Sequence, residues 1–233
     1  MLEFMVAGFL ASAILTVILT PVVRASAPAL GLIDLPGERK VHVQPTPRGG
    51  GIAIFLGVLI PTIVLLVVCV AGPAGRFAIA DEILEELRWG SPLAVQLLAI
   101  AAGAIVLFLT GLADDRWNLS WKLRLGLQLS VAVGVVLSGV RATVFVSQPG
   151  LGSATVLWII VLTNAMNFLD NMDALSAGIG LIASAMFAAI LLFMVRSPTA
   201  SVAFPLALLA GALSGFLVWN RPPATIFMGD RGK

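Results

Sequence analysis

Residues 92–113 read PLAVQLLAIAAGAIVLFLTGLA, a run of apolar and small residues that contains no charged side chain. An α-helix needs about 20 predominantly apolar residues to cross the hydrocarbon core of a bilayer, so this stretch predicts a membrane-spanning helix. Two aspartates, Asp114 and Asp115, follow it directly. The stretch therefore indicates the class of fold and also places a pair of acids at the end of a span.

Comparable apolar stretches recur along the whole chain, and they cover residues 4–23, 51–70, 123–140, 152–169, 174–195 and 200–219. Of the 233 residues, 59% are hydrophobic and only 11% are charged, and the mean hydropathy is +1.05, which excludes a soluble domain with a charged surface. Lipid cannot hydrogen-bond the backbone, and the pattern lacks a barrel's alternation, so each stretch should be a helix. We predict an all-α polytopic integral membrane protein of about seven transmembrane helices, with a single domain over residues 1–233.

Basic residues are shared unequally between the two sides of the membrane. Ten of the 14 Lys and Arg residues fall in the loops of one side and four in the loops of the other. Because cytoplasmic loops carry the excess of basic residues, this pattern predicts the N-terminus outside and the C-terminus in the cytoplasm.

Most acidic residues gather on the same inner side. Carboxylates at membrane ends are costly unless they are paired or bind cations, so this convergence is a functional hypothesis. The remaining acids lie on the outer side, where residues 81–89 could form a short amphipathic surface helix, although we interpret them as a solvated charge run. The inner acids are Asp34, Glu38, Asp114, Asp115, Asp170, Asp173 and Asp230.

The inner face begins with two polar elements. The loop of residues 24–50 is rich in Pro, Gly and basic residues, which suits an anionic lipid head or a phosphate, but an ordinary anchor loop explains it equally well. His42 is the only histidine, so a histidine-based metal site cannot form.

In the second element, Asp114 and Asp115 point about 100° apart on a helix, which favours a division of labour between a cation and a proton or second ligand. The alternative is a helix end neutralised by Arg116 and Lys122.

Two further polar elements complete the inner face. Asn164, Asn167 and the aspartates that follow share the three-and-four spacing of one helical face, broken by a polar turn around residues 170–173. Hydrogen bonds between helices could explain the asparagines but not the two aspartates. Near the end of the chain, glycines on both sides of Asp230 permit the close backbone approach that a phosphate or metal site needs. Together the four elements suggest a divalent ion that holds a diphosphate.

These elements in their order resemble the polyprenyl-phosphate N-acetylhexosamine-1-phosphate transferases. The first loop is similar to the branch that uses UDP-GlcNAc or a related UDP-sugar, and less similar to the branch that transfers phospho-MurNAc-pentapeptide. The matching motifs are Asp114-Asp115 with Leu119-Ser120, Asn164-Ala-Met-Asn167-Phe-Leu-Asp170-Asn-Met-Asp173, Phe227-Met-Gly-Asp230, and the loop from Asp34-Leu-Pro36 through Arg39-Lys40-Val-His42 to Pro47 and Gly50-Gly51.

The resemblance implies a reaction at the cytoplasmic face of the bacterial inner membrane. A HexNAc-1-phosphate, most naturally GlcNAc-1-phosphate, would pass from a UDP-sugar to undecaprenyl phosphate, giving a lipid diphosphate sugar and UMP. This step would initiate synthesis of a cell-envelope glycopolymer, such as cell wall or lipopolysaccharide. The resemblance further implies Mg2+, with Mn2+ as an alternative ion, contact with membrane lipid, and a homodimer; no nucleic-acid partner is expected.

The resemblance also implies a role for each matched residue. Asp114 and Asp115 would be catalytic, with Asp114 as the base or orienter of the lipid phosphate. Asp115 and Asp230 would bind the metal. The substrate-binding residues would be Asn167, Asp170 and Asp173 at the nucleotide-sugar, Lys122 and Arg124 at the diphosphate, and His42 and Arg48 at the lipid head.

The chain departs from the family pattern in two places. Asn171 and Ala174 stand where the family usually has glycine, which bears on the backbone of the turn. The family also continues beyond its Gly-Asp motif, with more helices and a histidine-bearing loop, so the resemblance implies that residues 1–233 are C-terminally truncated. Two other interpretations remain open: a non-catalytic remnant, and a cation-coupled transporter with intramembrane aspartates.

Overall fold

A computed structural model of the protein describes residues 1–34, 45–71, 78–141, 151–195 and 200–229. These ranges contain eight α-helices and one antiparallel pair of short strands, in which Asp34 lies opposite Thr46. In chain order the elements are α1 (Leu2–Leu30), β1 (Ile33–Asp34), β2 (Thr46–Pro47), α2 (Gly50–Ala71), α3 (Ala78–Glu86), α4 (Pro92–Trp117), α5 (Trp121–Leu137), α6 (Leu151–Leu169), α7 (Leu175–Phe193) and α8 (Ala200–Asn220).

Six of the described helices are long and apolar enough to cross a membrane, namely α1, α2, α4, α6, α7 and α8. The predicted all-α polytopic fold is therefore confirmed. The seventh predicted span corresponds to α5, which has 17 residues and lies at the short limit of a spanning helix. Ser138 ends this helix and Gly139 takes a φ of 104°, a left-handed conformation that stops the helix short of the predicted residue 140.

The acidic run before α4 lies on a docked helix, α3, as the alternative of a short amphipathic helix predicted, while Asp81, Glu82 and Glu85 are exposed, as in a solvated charge run. On α3, Ile83 is buried, with 2% of its surface exposed. Oε2 of Glu86 accepts a hydrogen bond from the backbone N–H of Ser201 at 2.9 Å, at the start of α8. The first N–H groups of a helix have no partner inside it, and a carboxylate there also suits the helix dipole. The run therefore anchors the beginning of α8.

The central helix of the bundle is α8, which packs against α1, α2 and α7. Small residues allow this close packing: a Cβ on Gly211 would lie 2.2 Å from the carbonyl oxygen of Phe9. On the same face of α1, the hydroxyl of Ser12 is shared between the carbonyl oxygens of Leu208 at 2.7 Å and Gly57 at 2.8 Å. Three further helices pack in chain order, α4 against α5 and α5 against α6.

Candidate active site

The segment that follows α8 turns back under the bundle, and we call residues 221–229 the return segment. Ile226 and Phe227 are 0% and 2% exposed. The N–H and the hydroxyl of Thr225 both donate to the carbonyl oxygen of Trp219, at 3.0 and 2.9 Å, which closes the turn. Each of the other three polar elements contacts this segment, so it is the common support of the candidate site.

The glycine-rich start of α2 pairs with the return segment through the backbone. The N–H groups of Gly50 and Gly51 donate to the carbonyl oxygens of Phe227 at 2.9 Å and Met228 at 2.8 Å. In return, the N–H of Phe227 donates to the carbonyl oxygen of Pro47 at 2.9 Å. The first N–H groups of α2 lack partners within the helix, and the return segment supplies their acceptors. A Cβ on Gly50 would lie only 2.9 Å from the Phe227 oxygen, so glycine is required there.

Arg48, predicted as a contact of the lipid head, turns into the protein. It is 6% exposed, and its guanidinium forms an ion pair with the carboxylate of Asp34, which is 1% exposed. The backbone N–H of Arg48 donates to the carbonyl oxygen of Leu32 at 2.9 Å. Asp34 thus neutralises the charge of Arg48. Lipid binding by Arg48 stays a prediction. His42, the other predicted contact, lies outside the described residues.

Asp114 holds the turn between α4 and α5. Its Oδ1 accepts the backbone N–H of Leu119 at 2.8 Å, and its Oδ2 accepts the guanidinium of Arg124 at 2.7 Å. Asn118, with a φ of 51°, ends α4, and the hydroxyl of Ser120 caps the first turn of α5. Asp114 is 6% exposed. The structure therefore joins Asp114 and Arg124 as an ion pair, although sequence reasoning had assigned them separate roles.

Asp115 faces the return segment. A Cβ on Gly229 would lie 3.5 Å from its Oδ2 and 4.0 Å from its Oδ1, so the backbone just before Asp230 runs past this carboxylate. Asp115 and Asp114 therefore face different surroundings, as their spacing on a helix predicted. Asp230 itself lies outside the described residues.

Lys122 does not contact these carboxylates through any bond that the described side chains show. It is exposed, and its ammonium lies 5.7 Å from the ring centroid of Trp121. Trp121 is itself 64% exposed. A cation over an indole ring at the start of α5 is typical of the membrane interface. The predicted diphosphate contact of Lys122 stays a prediction.

The turn between α6 and α7, residues 170–174, makes one hydrogen bond to the return segment and one to the last residue of α8, and we call it the aspartate turn. Oδ2 of Asp173 accepts the N–H of Ala224 at 2.9 Å. Oδ1 of Asn220 accepts the N–H of Ala174, also at 2.9 Å. Ala174 has a φ of 62°, so the turn keeps a left-handed, glycine-like backbone although alanine occupies the position. Asp170, which begins the turn, is buried at 8% exposure.

The asparagines of α6 do not continue into the aspartate turn as one helical face. Nδ2 of Asn164 donates to Oε1 of Gln128 on α5 at 2.7 Å, which is a helix-packing contact. Asn167, a predicted substrate contact, is exposed near the end of α6. The helix stops before the aspartates, where Nδ2 of Asn171 donates to the carbonyl oxygen of Phe168 at 2.7 Å. Such side-chain bonds to nearby backbone compete with helix continuation.

Sequence reasoning did not predict that Asn220 and Arg116 join the polar elements. Asn220 bridges the aspartate turn and the return segment; an amide that ends an apolar span was the available signal. Arg116 donates to the carbonyl oxygen of Leu30 at 2.9 Å and ties the end of α4 to the end of α1. The sequence gives no sign of this second contact, because its acceptor is a backbone oxygen 86 positions away.

The donors near the return segment suit a metal ion that is shared with a substrate. Mg2+ uses one or two protein carboxylates and completes its shell with water and phosphate oxygens. Asp115 offers such an oxygen beside Gly229. Within the described ranges, no group of three or more His, Cys, Asp or Glu side chains could hold an ion. Among the described residues, the side chain of Asp115 therefore fits one ligand of a Mg2+ ion whose other ligands are water and phosphate oxygens.

Known proteins similar to this chain agree with the resemblance that its motifs indicate. A probable undecaprenyl-phosphate N-acetylglucosaminyl 1-phosphate transferase of Bacillus subtilis is 35% identical over 237 residues, which cover 97% of this chain and 58% of that protein. A decaprenyl-phosphate N-acetylglucosaminephosphotransferase of Mycobacterium tuberculosis is 35% identical over 96% of this chain and 55% of its own length. A phospho-N-acetylmuramoyl-pentapeptide-transferase of Staphylococcus carnosus is 26% identical over 97% of this chain and 70% of its own.

The chain thus spans a little more than half the length of the first two relatives. The family model described as glycosyl transferase family 4 matches residues 97–233, a range that includes the Asp114–Asp115 pair, the aspartate turn and the return segment. Since this range is more than half of the chain and contains three of its four polar elements, the chain belongs to glycosyl transferase family 4.

Proposed function

We propose that this chain carries the site for transfer of a HexNAc-1-phosphate, preferably GlcNAc-1-phosphate, from a UDP-sugar to undecaprenyl phosphate. An oxygen of the lipid phosphate attacks the β-phosphorus of the donor, and the bond from that phosphorus to the oxygen it shares with UMP breaks. The products are a lipid diphosphate sugar and UMP. The names of the N-acetylglucosamine relatives, which describe transfer to undecaprenyl or decaprenyl phosphate, support this donor and this acceptor.

The observation that carries the proposal is the contact of the return segment with all three other polar elements. Phe227 binds the start of α2, Ala224 binds the aspartate turn, and Gly229 lies beside Asp115. Phosphoryl transfer requires little covalent chemistry from the protein but demands that donor, acceptor and charged groups be held together. Convergence of these elements at one end of the bundle supports such a site.

Each side chain then has a task that suits its surroundings. Asp115 and Asp230 would hold Mg2+ or Mn2+, which when bound would neutralise the charge of the diphosphate. Asp114, fixed by Leu119 and Arg124, would orient the lipid phosphate and accept its proton. The nucleotide-sugar would lie towards the aspartate turn, lined by Asn167, Asp170 and Asp173, with Lys122 and Arg124 near its diphosphate.

We place this site at the cytoplasmic face of a bacterial inner membrane, with the N-terminus outside. The support is the excess of basic residues on the side of the chain that also carries Asp114 and Asp173. An anionic lipid phosphate and a UDP-sugar would both be attracted by these residues. A homodimer, with the acidic site in each copy, is part of the same proposal.

A cation-coupled transporter would place its acidic residues near the middle of the membrane. In the described spans, the acids Glu3, Asp114 and Asp115 lie in the first or last turn of a helix, and Asp170 and Asp173 lie in a turn between helices. Their positions favour a site at the membrane surface. This favours transfer between a membrane lipid and a water-soluble donor over ion passage.

Transfer of radiolabelled GlcNAc-1-phosphate from UDP to undecaprenyl phosphate in detergent tests the proposal. The assay compares Mg2+ with EDTA, and residues 1–233 with a version extended by downstream coding sequence. We expect Mg2+-dependent product that is lost in Asp115→Asn. The matched control is Glu82→Gln, which likewise replaces a carboxylate by an amide but at an exposed position of α3, and it should leave the rate unaltered. If neither version forms product with any UDP-HexNAc, the proposal is wrong and the remnant or transporter interpretation replaces it.

A further inference from the structure

Asn220, the last residue of α8, has a buried side-chain amide in which both the oxygen and the nitrogen form hydrogen bonds. It is 3% exposed. Oδ1 accepts the backbone N–H of Ala174 at 2.9 Å, and Nδ2 donates to the backbone carbonyl of Ile226 at 2.9 Å. One bond therefore reaches the aspartate turn, and the other reaches the return segment. An asparagine amide offers one acceptor and one donor group at this reach, and both are matched here.

The two bonded backbone groups stand next to residues of the candidate site. Ala174 follows Asp173, whose carboxylate makes the second link to the return segment. Ile226 precedes Phe227 and Met228, the residues that receive the first N–H groups of α2. A change in the side chain of Asn220 would therefore displace both the aspartate turn and the return segment.

We infer that Asn220 is a positioning residue, which sets the aspartate turn and the return segment in register with each other. It acts through the backbone of Ala174 and Ile226, and it has no need to touch a substrate. The inference deepens the proposed function, since its catalytic consequence rests on that function. Its structural content, a clamp between two segments, stands independently of which reaction the site performs.

A second amide in the chain supplies a matched comparison. Asn164 also bonds another helix, through Gln128 of α5, but its contact touches neither the aspartate turn nor the return segment. Loss of that bond should weaken helix packing alone. A difference between Asn220 and Asn164 variants therefore separates positioning of the site from general loss of a buried hydrogen bond.

Amide hydrogen exchange of the detergent-solubilised protein, read by mass spectrometry, measures the clamp directly. In Asn220→Leu we expect peptides that cover residues 170–176 and 221–229 to exchange roughly tenfold or more faster, because their protected groups open locally. Asn164→Leu should leave both peptides unchanged. Asn220→Asp, which is nearly isosteric, keeps the acceptor for Ala174 but turns an oxygen towards the Ile226 carbonyl. That variant should loosen residues 221–229 more than residues 170–176, and it keeps the test valid if Asn220→Leu fails to fold.

Transfer kinetics provide the second measurement, on the version of the protein that shows activity. Misplacement of a catalytic group by about 1 Å can cost on the order of 100-fold in rate, so kcat should fall by roughly 10- to 100-fold in Asn220→Asp while KM for the UDP-sugar changes little. Asn164→Leu should keep both constants.

Unchanged exchange of both peptides in the Asn220 variants would overturn the inference, as would equal loosening in Asn164→Leu. If the exchange pattern holds while the unmodified protein transfers no sugar phosphate, the clamp is supported and the proposed function is what fails. If the clamp loosens but kcat is unaffected, the positioning role is refuted.

Discussion

Gly229 lies against the carboxylate of Asp115, close enough that a Cβ on the glycine would stand 3.5 Å from Oδ2. This contact joins the last turn of α4 to the return segment, two parts of the chain that are distant in sequence. Gly229 directly precedes Asp230 in the sequence, the residue that the motifs assign to the metal together with Asp115.

Gly229→Ala tests whether the space beside Asp115 is used. A methyl group at 3.5 Å makes ordinary van der Waals contact, and the backbone of Gly229 does not have a positive φ, so the melting temperature should be unchanged. The methyl would nevertheless occupy room that a cation and its water ligands need. We expect transfer to fall on the order of tenfold or more, the size seen when the surroundings of a metal ligand are altered.

The control for this change is Gly126→Ala, on α5, where an added Cβ meets nothing within 4 Å. It should leave the rate unaltered and raise the melting temperature slightly, because alanine is more favourable than glycine in a helix interior. A Gly229→Ala protein that keeps full activity would show that no ligand shell lies beside Asp115.

The ion pair of Asp114 and Arg124 should contribute to thermal stability together with the hydrogen bond between Asp114 and Leu119. Arg124→Ala removes one charge-assisted hydrogen bond, while Asp114→Ala removes that bond and the one from the N–H of Leu119. A hydrogen bond to a charged group contributes about 1.5–3 kcal/mol, and the partial exposure of Arg124 favours the lower end. Asp114→Ala should therefore lower the melting temperature more than Arg124→Ala does.

The double variant of these two residues should melt close to Asp114→Ala alone, because the shared bond can be lost only once. Additive losses would mean that the two side chains stabilise the protein separately, in contradiction to the ion pair. The same melts show how much of any activity lost in Asp114 variants comes from the fold.

The buried pair of Asp34 and Arg48 should be costly to break from either side. Removal of one partner of a buried ion pair leaves a charge without its counterpart and typically costs about 3–5 kcal/mol. We expect Asp34→Ala and Arg48→Ala each to lower the melting temperature by roughly 5–15 °C. The joint replacement Asp34→Leu with Arg48→Met should recover much of the loss, since it removes both charges.

This joint variant also separates the two tasks considered for Arg48. If Arg48 contributes only to the fold, the recovered protein should bind undecaprenyl phosphate as the unmodified protein does. Weak lipid binding by a well-folded double variant would assign Arg48 to the lipid head. A double variant no more stable than the singles would contradict the ion pair as a stabilising unit.

Ala174→Gly should make the protein more stable. Ala174 has a φ of 62°, and the left-handed region costs a non-glycine residue about 1–2 kcal/mol. Replacement by glycine removes this cost, but glycine loses more conformational entropy on folding. The free energy of unfolding should therefore rise by about 0.5–1 kcal/mol, with a small rise in melting temperature. Ala183→Gly, in the exposed interior of α7, should have the opposite sign, since glycine disfavours a helix. A lower melting temperature for Ala174→Gly would argue against the left-handed turn.

Sequence alone predicted the apolar helices and the identity of most candidate site residues. Both follow from short-range properties: about 20 uncharged residues suit a bilayer, and acids at the ends of such spans are costly unless they have a task. The motif order also predicted the family, which the comparisons confirmed. Asp114, Asp115 and Asp173 could be singled out in this way, since each interrupts an apolar chain with a charge.

Partnerships across the bundle were decided only by the tertiary structure. Asp114 binds Arg124, Arg48 turns inward to Asp34, and the aspartate turn meets the return segment through Asn220. The partners of these contacts include backbone oxygens and N–H groups, which every residue carries and which no motif can therefore reveal. Helix composition predicts that a span forms, but the packing of α8 against α1, α2 and α7 decides which helix ends meet and hence which polar groups can share a site.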